Sequence, residues 1–247
     1  MIGIFDSGVG GLSALMPLRT LLPNADLVYY ADTAALPLGE KSDREIRDRL
    51  TRALRFFEHT GVDGVLLACG TASSLLTKEC KENFAFPIID IISPTKAVIK
   101  SLGRDARVLL LATPAAVRSS RFASALVRRE STVFSLACPR FVTLAERGAP
   151  VSARAVYRTL APTLALKPDA VVLGCTHFSH LKREIADLLP EAKIIDAAAC
   201  SAAGAAARMS GVGRSEERFF VTGDTVRFAK RASLLLRRPV TAEKIIP

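Results

Sequence analysis

Two stretches of this 247-residue chain repeat each other: VDGVLLACGT at 62–71 and PDAVVLGCTH at 168–177. Asp63 falls on Asp169 and Cys69 on Cys175, both at a spacing of 106 residues. The same spacing lays IGIFDS (2–7) on VLLLAT (108–113), LVYYAD (27–32) on VFSLAC (133–138), and IID (88–90) on IID (194–196). Four pairs of strand-like runs at one constant spacing constrain the fold more than any single motif. They describe two similar α/β halves, each with a cysteine at the carboxyl end of its own strand. Open α/β sheets bind ligands at that edge. If the halves face each other, the two thiols converge on one cleft from opposite sides.

Short apolar runs alternate with helical patterns along the chain, the signature of largely parallel sheets with covering helices. The expected strands are 2–5, 26–31, 64–68, 87–92, 107–112, 132–137, 170–174, 193–197 and 218–223. The Ala-rich segment 197–208 is expected to be a helix, as is 225–238. In 42–59, Ile46, Leu50, Leu54 and Phe57 keep an apolar period of three to four, and five arginines take the other faces.

Composition is that of a soluble globular chain, 49% hydrophobic and 23% charged. No uncharged stretch approaches the ~20 residues of a membrane span. The opening MIGIFDSG goes straight into a strand without the basic and apolar regions of a leader. Five cysteines is an odd number, which points to reduced thiols and a cytoplasmic protein. The net charge of +10 lies on helix faces with neither interleaved aromatics nor a basic tail, so no nucleic-acid partner is expected. Such a positive field would draw in small anionic substrates.

The segment GCTHFSHL (174–181) sets Cys175 two residues before His177, in a chain with only three histidines. Zinc would need three or four regularly spaced ligands, and there is no CxxC or HExxH, so no metal is expected. The glycines of GVGG (8–11) match neither GxGxxG nor a phosphate loop, although the N–H groups of such a turn could hold a carboxylate. A facing pair of thiols suits inversion at an acidic C–H. One group removes the proton from one face, and the other delivers a proton to the opposite face. Asp6, at the end of the first strand beside the Cys69 strand, and His177 would give each thiol an ionisable helper.

The chain resembles the glutamate racemases of the cofactor-independent amino-acid racemase superfamily, nearly end to end. IGIFDSGVGGLSAL (2–15), YYADTAALPLGEKS (29–42), ACGTASS (68–74), LGCTH (173–177) and FFVTGD (219–224) carry the resemblance, and CPRFVTLAERG (138–148) resembles the segment with a family glutamate. The resemblance implies an α/β fold of two similar three-layer halves with mostly parallel sheets and the active site between them. The first half would be residues 1–93 plus 209–247, its C-terminal strand and helix returning to it, and the second 94–208. It implies Cys69 and Cys175 as the proton donor/acceptor pair for L- and D-glutamate, without pyridoxal phosphate or metal. Asp6 and His177 would assist, with Glu146 near His177. Ser7, Pro37, Leu38, Gly39, Gly70, Thr71 and Thr176, with Asp6 and His177, would contact the substrate. D-glutamate would serve peptidoglycan synthesis, and homodimerisation stays open.

Two positions depart from the family pattern. Gly70 stands where the family usually has Asn, and Leu38 where Pro-Tyr-Gly has Tyr. Gly70→Asn is therefore expected to return a polar contact to the substrate. Rival readings are a racemase of aspartate or another amino acid, and a non-enzymatic basic binding protein. An arylmalonate decarboxylase relative would keep only one of the cysteines.

Overall fold

The computed structural model describes residues 1–128, 130–147 and 152–246. Its strands are β1 (Ile2–Asp6), β2 (Leu27–Ala31), β3 (Gly64–Leu67), β4 (Ile88–Asp90), β5 (Arg107–Ala112), β6 (Thr132–Ala137), β7 (Ala170–Leu173), β8 (Lys193–Asp196), β9 (Glu217–Val221) and β10 (Glu243–Lys244). They form two parallel sheets, ordered β10-β9-β2-β1-β3-β4 and β6-β5-β7-β8, with helices on both faces. Among the described residues no helix is long and apolar enough to cross a membrane.

The repeat extends to register. In the first sheet Ile2 pairs with Leu27 and Gly64, and Val65 with Ile88. In the second, Val108 pairs with Val133 and Ala170, and Val171 with Ile194. Each second-sheet partner is its first-sheet counterpart moved by 106 residues. Strands buried on both faces read as continuous apolar runs, which is why β1, β3 and β7 were visible in the sequence.

Local chemistry sets the element ends. Ser42 accepts from the Glu45 N–H to start the helix Asp43–Thr60, and Gly61 ends it at φ 72°. Four of its five arginines face solvent, while Arg49 reaches the buried Asp32 carboxylate at 3.2 Å. The run 87–92, expected to be strand throughout, pairs only over Ile88–Asp90. Asp90 accepts from the N–H groups of Ile92 and Ser93, and this cap turns the chain into the helix Ile92–Ile99. The two-residue β10 was not expected, being too short for a period-two pattern.

The helices that follow β4 and β8 change sides. Ile92–Ile99 buries Ile92 and Ile99 in the core around β5 and β7, whereas Ala197–Ala206 buries Ala198, Ala202 and Ala205 against β1 and the helix Leu12–Leu21. They cross where a Cβ on Gly204 would lie 2.5 Å from Pro94 Cγ. Ala favours a helix over Gly by about 1 kcal/mol, but overpacking costs about 1–3 kcal/mol. Gly204→Ala is therefore expected to lower the urea midpoint despite the better helix former.

Candidate active site

Asp6 ends β1, while Cys69 and Cys175 lie two residues beyond the ends of β3 and β7. The two thiols share one cleft, and Asp6 lies close enough to act on Cys69 and to accept from Thr176. Cys69 precedes the short helix Gly70–Leu75, and Cys175 precedes the turn Thr176–Leu181. Both thiols are buried and line one narrow cleft with a free volume of about 10 Å³. Ser7, Pro37, Leu38, Gly39, Thr71 and His177 line it as well. Thr113 joins them, its hydroxyl 2.8 Å from that of Thr71, although it was not among the expected site residues. Its signal was present: the 106-residue spacing pairs Thr113 with Ser7.

The two thiols have different surroundings. Cys175 Sγ lies 3.8 Å from His177 Nδ1, and His177 Nε2 lies 2.6 Å from Glu146 Oε1. The result is a thiol–imidazole–carboxylate line, an arrangement suited to moving one proton on and off sulfur. Burial would lower the His177 pKa, but its bonds to Cys175 and Glu146 outweigh that and raise it well above the ordinary value. Burial likewise opposes the ionised Glu146, yet His177, the Val9 N–H and the Arg231 charge hold its carboxyl low. Doubly protonated, His177 donates from Nε2 to Glu146 and from Nδ1 to the sulfur.

Cys69 has no imidazole. Its Sγ donates to Ser7 Oγ at 3.9 Å. Burial first, and then the Asp6 charge, push its pKa far up, which holds it as a thiol. Asp6 itself is fully buried and raised by desolvation. Its carboxylate accepts from Gly8 N at 2.9 Å and from Thr176 Oγ1 of the other half at 2.9 Å. Asp6 thus makes no hydrogen bond to Cys69 and acts on it through charge. Among the described residues no group of three or more His, Cys, Asp or Glu could hold a metal ion. Gly148, the last residue of the segment carrying Glu146, lies outside the described residues.

Glycines permit this crowding. A Cβ on Gly10 would fall 2.6 Å from His177 Nδ1, a requirement of close approach rather than of phosphate binding. A Cβ on Gly70 would fall 2.0 Å from the Gly174 carbonyl oxygen, across the two halves. This corrects the expectation that Gly70→Asn supplies a missing contact, because no side chain fits there without separating the backbones beside the two cysteines. Gly70→Asn is expected to lower the melting temperature and kcat together, with no fall in KM. Separately, Glu146→Gln removes a charge that keeps His177 protonated, so the ring is expected to titrate at lower pH in ¹⁵N NMR. An unchanged titration would mean that the 2.6 Å contact carries little charge coupling.

The sequence pattern of the Asp/Glu/hydantoin racemase family matches residues 18–205. The glutamate racemase of Gloeobacter violaceus is 37% identical over 242 residues, covering 94% of this chain and 91% of that protein. The fold is similar to glutamate racemase from Francisella tularensis in complex with D-glutamate, at a TM-score of 0.90, with 28% identity over 99% of this chain and 96% of that one. It is also similar to the Escherichia coli enzyme in complex with L-glutamate and the activator UDP-MurNAc-ala, at a TM-score of 0.81, with 32% identity over 99% and 97%. With its paired strand-end cysteines and these relatives, the chain belongs to the Asp/Glu/hydantoin racemase family, among its glutamate racemases.

Proposed function

We propose that this amino-acid racemase interconverts L- and D-glutamate by a two-base transfer at Cα, with Cys69 and Cys175 as the bases. The observation that carries the reading is the pair of buried thiols at repeat-equivalent strand ends, lining one cleft. One thiolate takes the Cα proton and leaves a planar carbanion delocalised into the carboxylate. The opposite thiol then donates its proton to the other face, so the two sulfurs exchange protonation states in each turnover. Asp6 and His177 tune the thiols, and Glu146 orients His177.

No Lys or Arg is among the described residues that line the cleft. The substrate's carboxylates and ammonium would be held by the hydroxyls of Ser7, Thr71, Thr113 and Thr176 and by backbone around Gly39 and Gly70. Pro37 and Leu38 form an apolar wall. The resemblance to glutamate racemases across nearly the whole chain favours glutamate over aspartate. On the same basis we place the protein in the cytoplasm, supplying D-glutamate to peptidoglycan. The division into 1–93 with 209–247 and 94–208 is supported by β9 and β10 joining the first sheet, while the helix Ala197–Ala206 of the second segment packs on the first half's core. Homodimerisation is supported by Val226 and Leu234, exposed on the C-terminal helix.

Purified protein without added cofactor is expected to racemise glutamate. Cys69→Ser and Cys175→Ser are each expected to lower the rate by at least about 10²-fold, the low end of what a positioned proton donor contributes. Each variant keeps one base. On glutamate bearing a β leaving group, Cys69→Ser should eliminate from one enantiomer and Cys175→Ser from the other. Undiminished racemisation in either variant would end the two-base reading.

A further inference from the structure

Glu146 sits in the last turn of the helix Pro139–Arg147, where backbone carbonyls run out of intrahelical partners. The carbonyl of its neighbour Ala145 is taken by Arg231, whose Nη2 donates to it at 2.8 Å. Arg231 comes from the other half of the molecule, on the helix Thr225–Leu236. That helix is itself held in place: Asp224 caps its first turn by accepting from Arg227 N at 2.9 Å, and Phe228 and Ala232 are buried beneath it. Arg231 is half-buried, and its Nε is buried without a hydrogen-bond partner. A guanidinium at a helix C-terminus meets the negative end of the helix dipole as well as a free carbonyl.

Resting on the two-base reading, we propose that Arg231 is a positioning residue for the Cys175 side of the reaction. By clamping Ala145 it sets where the Glu146 carboxylate stands, and through Glu146 it sets the angle of His177 against Cys175. The clamp matters because Glu146 Oε1 serves two donors at once, His177 Nε2 at 2.6 Å and Val9 N at 3.3 Å. A turn free to slide would keep only one of them. The Arg231 charge also helps hold Glu146 ionised. The charged and titratable groups around this line are Asp6, Cys175 and His180 near His177, and Asp224 and Arg227 on the approach to Arg231. His180 stays neutral, its pKa lowered to about 4 by burial first and then by the His177 and Arg231 charges. Arg231 and Glu146 line an open cavity of about 360 Å³, so a shorter side chain at 231 opens onto that space rather than leaving a sealed void.

The Cys69 side has a separate arginine, Arg121, whose Nη1 donates to the Ser73 carbonyl at 3.1 Å in the helix after Cys69, so loss of Arg231 should be felt at the Cys175 thiol alone. L- and D-glutamate are equally stable, so kcat/KM falls equally in both directions for any variant and tells nothing of sides. The primary isotope effect with Cα-deuterated glutamate does. For the enantiomer that Cys175 deprotonates, a weakened Cys175 makes C–D cleavage more rate-limiting and raises the effect. For its mirror image, reprotonation at Cys175 becomes limiting and the effect falls. The Cys69→Ser and Cys175→Ser variants identify which enantiomer is which.

The experiment compares wild type, Arg231→Met and Arg231→Lys. Arg231→Met is expected to lower kcat on the order of 10-fold, less than the 10²–10⁴-fold of a positioned acid or base itself. It should split the isotope effects in opposite directions, and Arg231→Lys, which keeps a donor, should narrow that split. Isotope effects that move together or stay put in Arg231→Met, whatever happens to kcat, would overturn the proposal. If the wild type fails to racemise glutamate, the functional reading falls by itself. Arg231 is then judged by alkylation of the two thiols with iodoacetamide, followed by mass spectrometry. Slower labelling of Cys175 relative to Cys69 in Arg231→Met supports the positioning role, and an unchanged ratio overturns it.

Discussion

The backbone of Gly70 lies against the carbonyl of Gly174, with a Cβ-sized gap missing between them. One glycine follows Cys69 and the other precedes Cys175, so this contact sets how closely the two thiols approach the cleft. Everything else at the seam is arranged around it. Asp6 holds Thr176, Thr71 holds Thr113, Glu146 accepts from Val9, and Arg231 donates to Ala145, each pair crossing from one half to the other. A side chain at residue 70 would strain all four pairings at once. What looks like a lost substrate contact in the sequence is a close-packing requirement in the fold.

Two halves of one design need not give two equal thiols. The repeat places Cys69 and Cys175 alike on their sheets, but puts Thr71 where the other half has His177. One thiol is buried beside a carboxylate and kept protonated, and the other sulfur faces a protonated imidazole that donates to it. Proton transfer from opposite faces requires this difference at the start of each turnover: one sulfur must be empty when the other is loaded. After transfer the loading is reversed, ready for the mirror-image substrate. The asymmetry lies in the neighbours, and the symmetry in the strands that carry them.

Much of this was legible in the chain. Nine of the ten strands were readable as apolar runs, and eight of them repeat at one spacing. Cys69, Cys175, Asp6 and His177 stood out as strand-end groups of reactive type. Thr113 was readable from the repeat but carries no chemistry that singles out a threonine. The early end of β4 depended on Asp90 turning from strand residue to helix cap, which residue type alone does not settle. The meeting of Gly70 with Gly174, and of Arg231 with Ala145, joins residues some 100 and 86 positions apart. Contacts of that kind arise from packing the halves and leave no local pattern.

The central claim is that two separate bases work from opposite faces of Cα. It is tested most directly by giving the wild-type protein L-glutamate in deuterated water and following the first few per cent of conversion, then repeating with D-glutamate. A thiol carries one exchangeable proton, so each base returns what it took and delivers solvent deuterium only to the opposite enantiomer. The product should be deuterated at Cα from the outset while recovered substrate keeps its protium, in both directions. Deuterium appearing in recovered substrate as fast as in product would mean a single base serving both faces, and would contradict the paired-cysteine account.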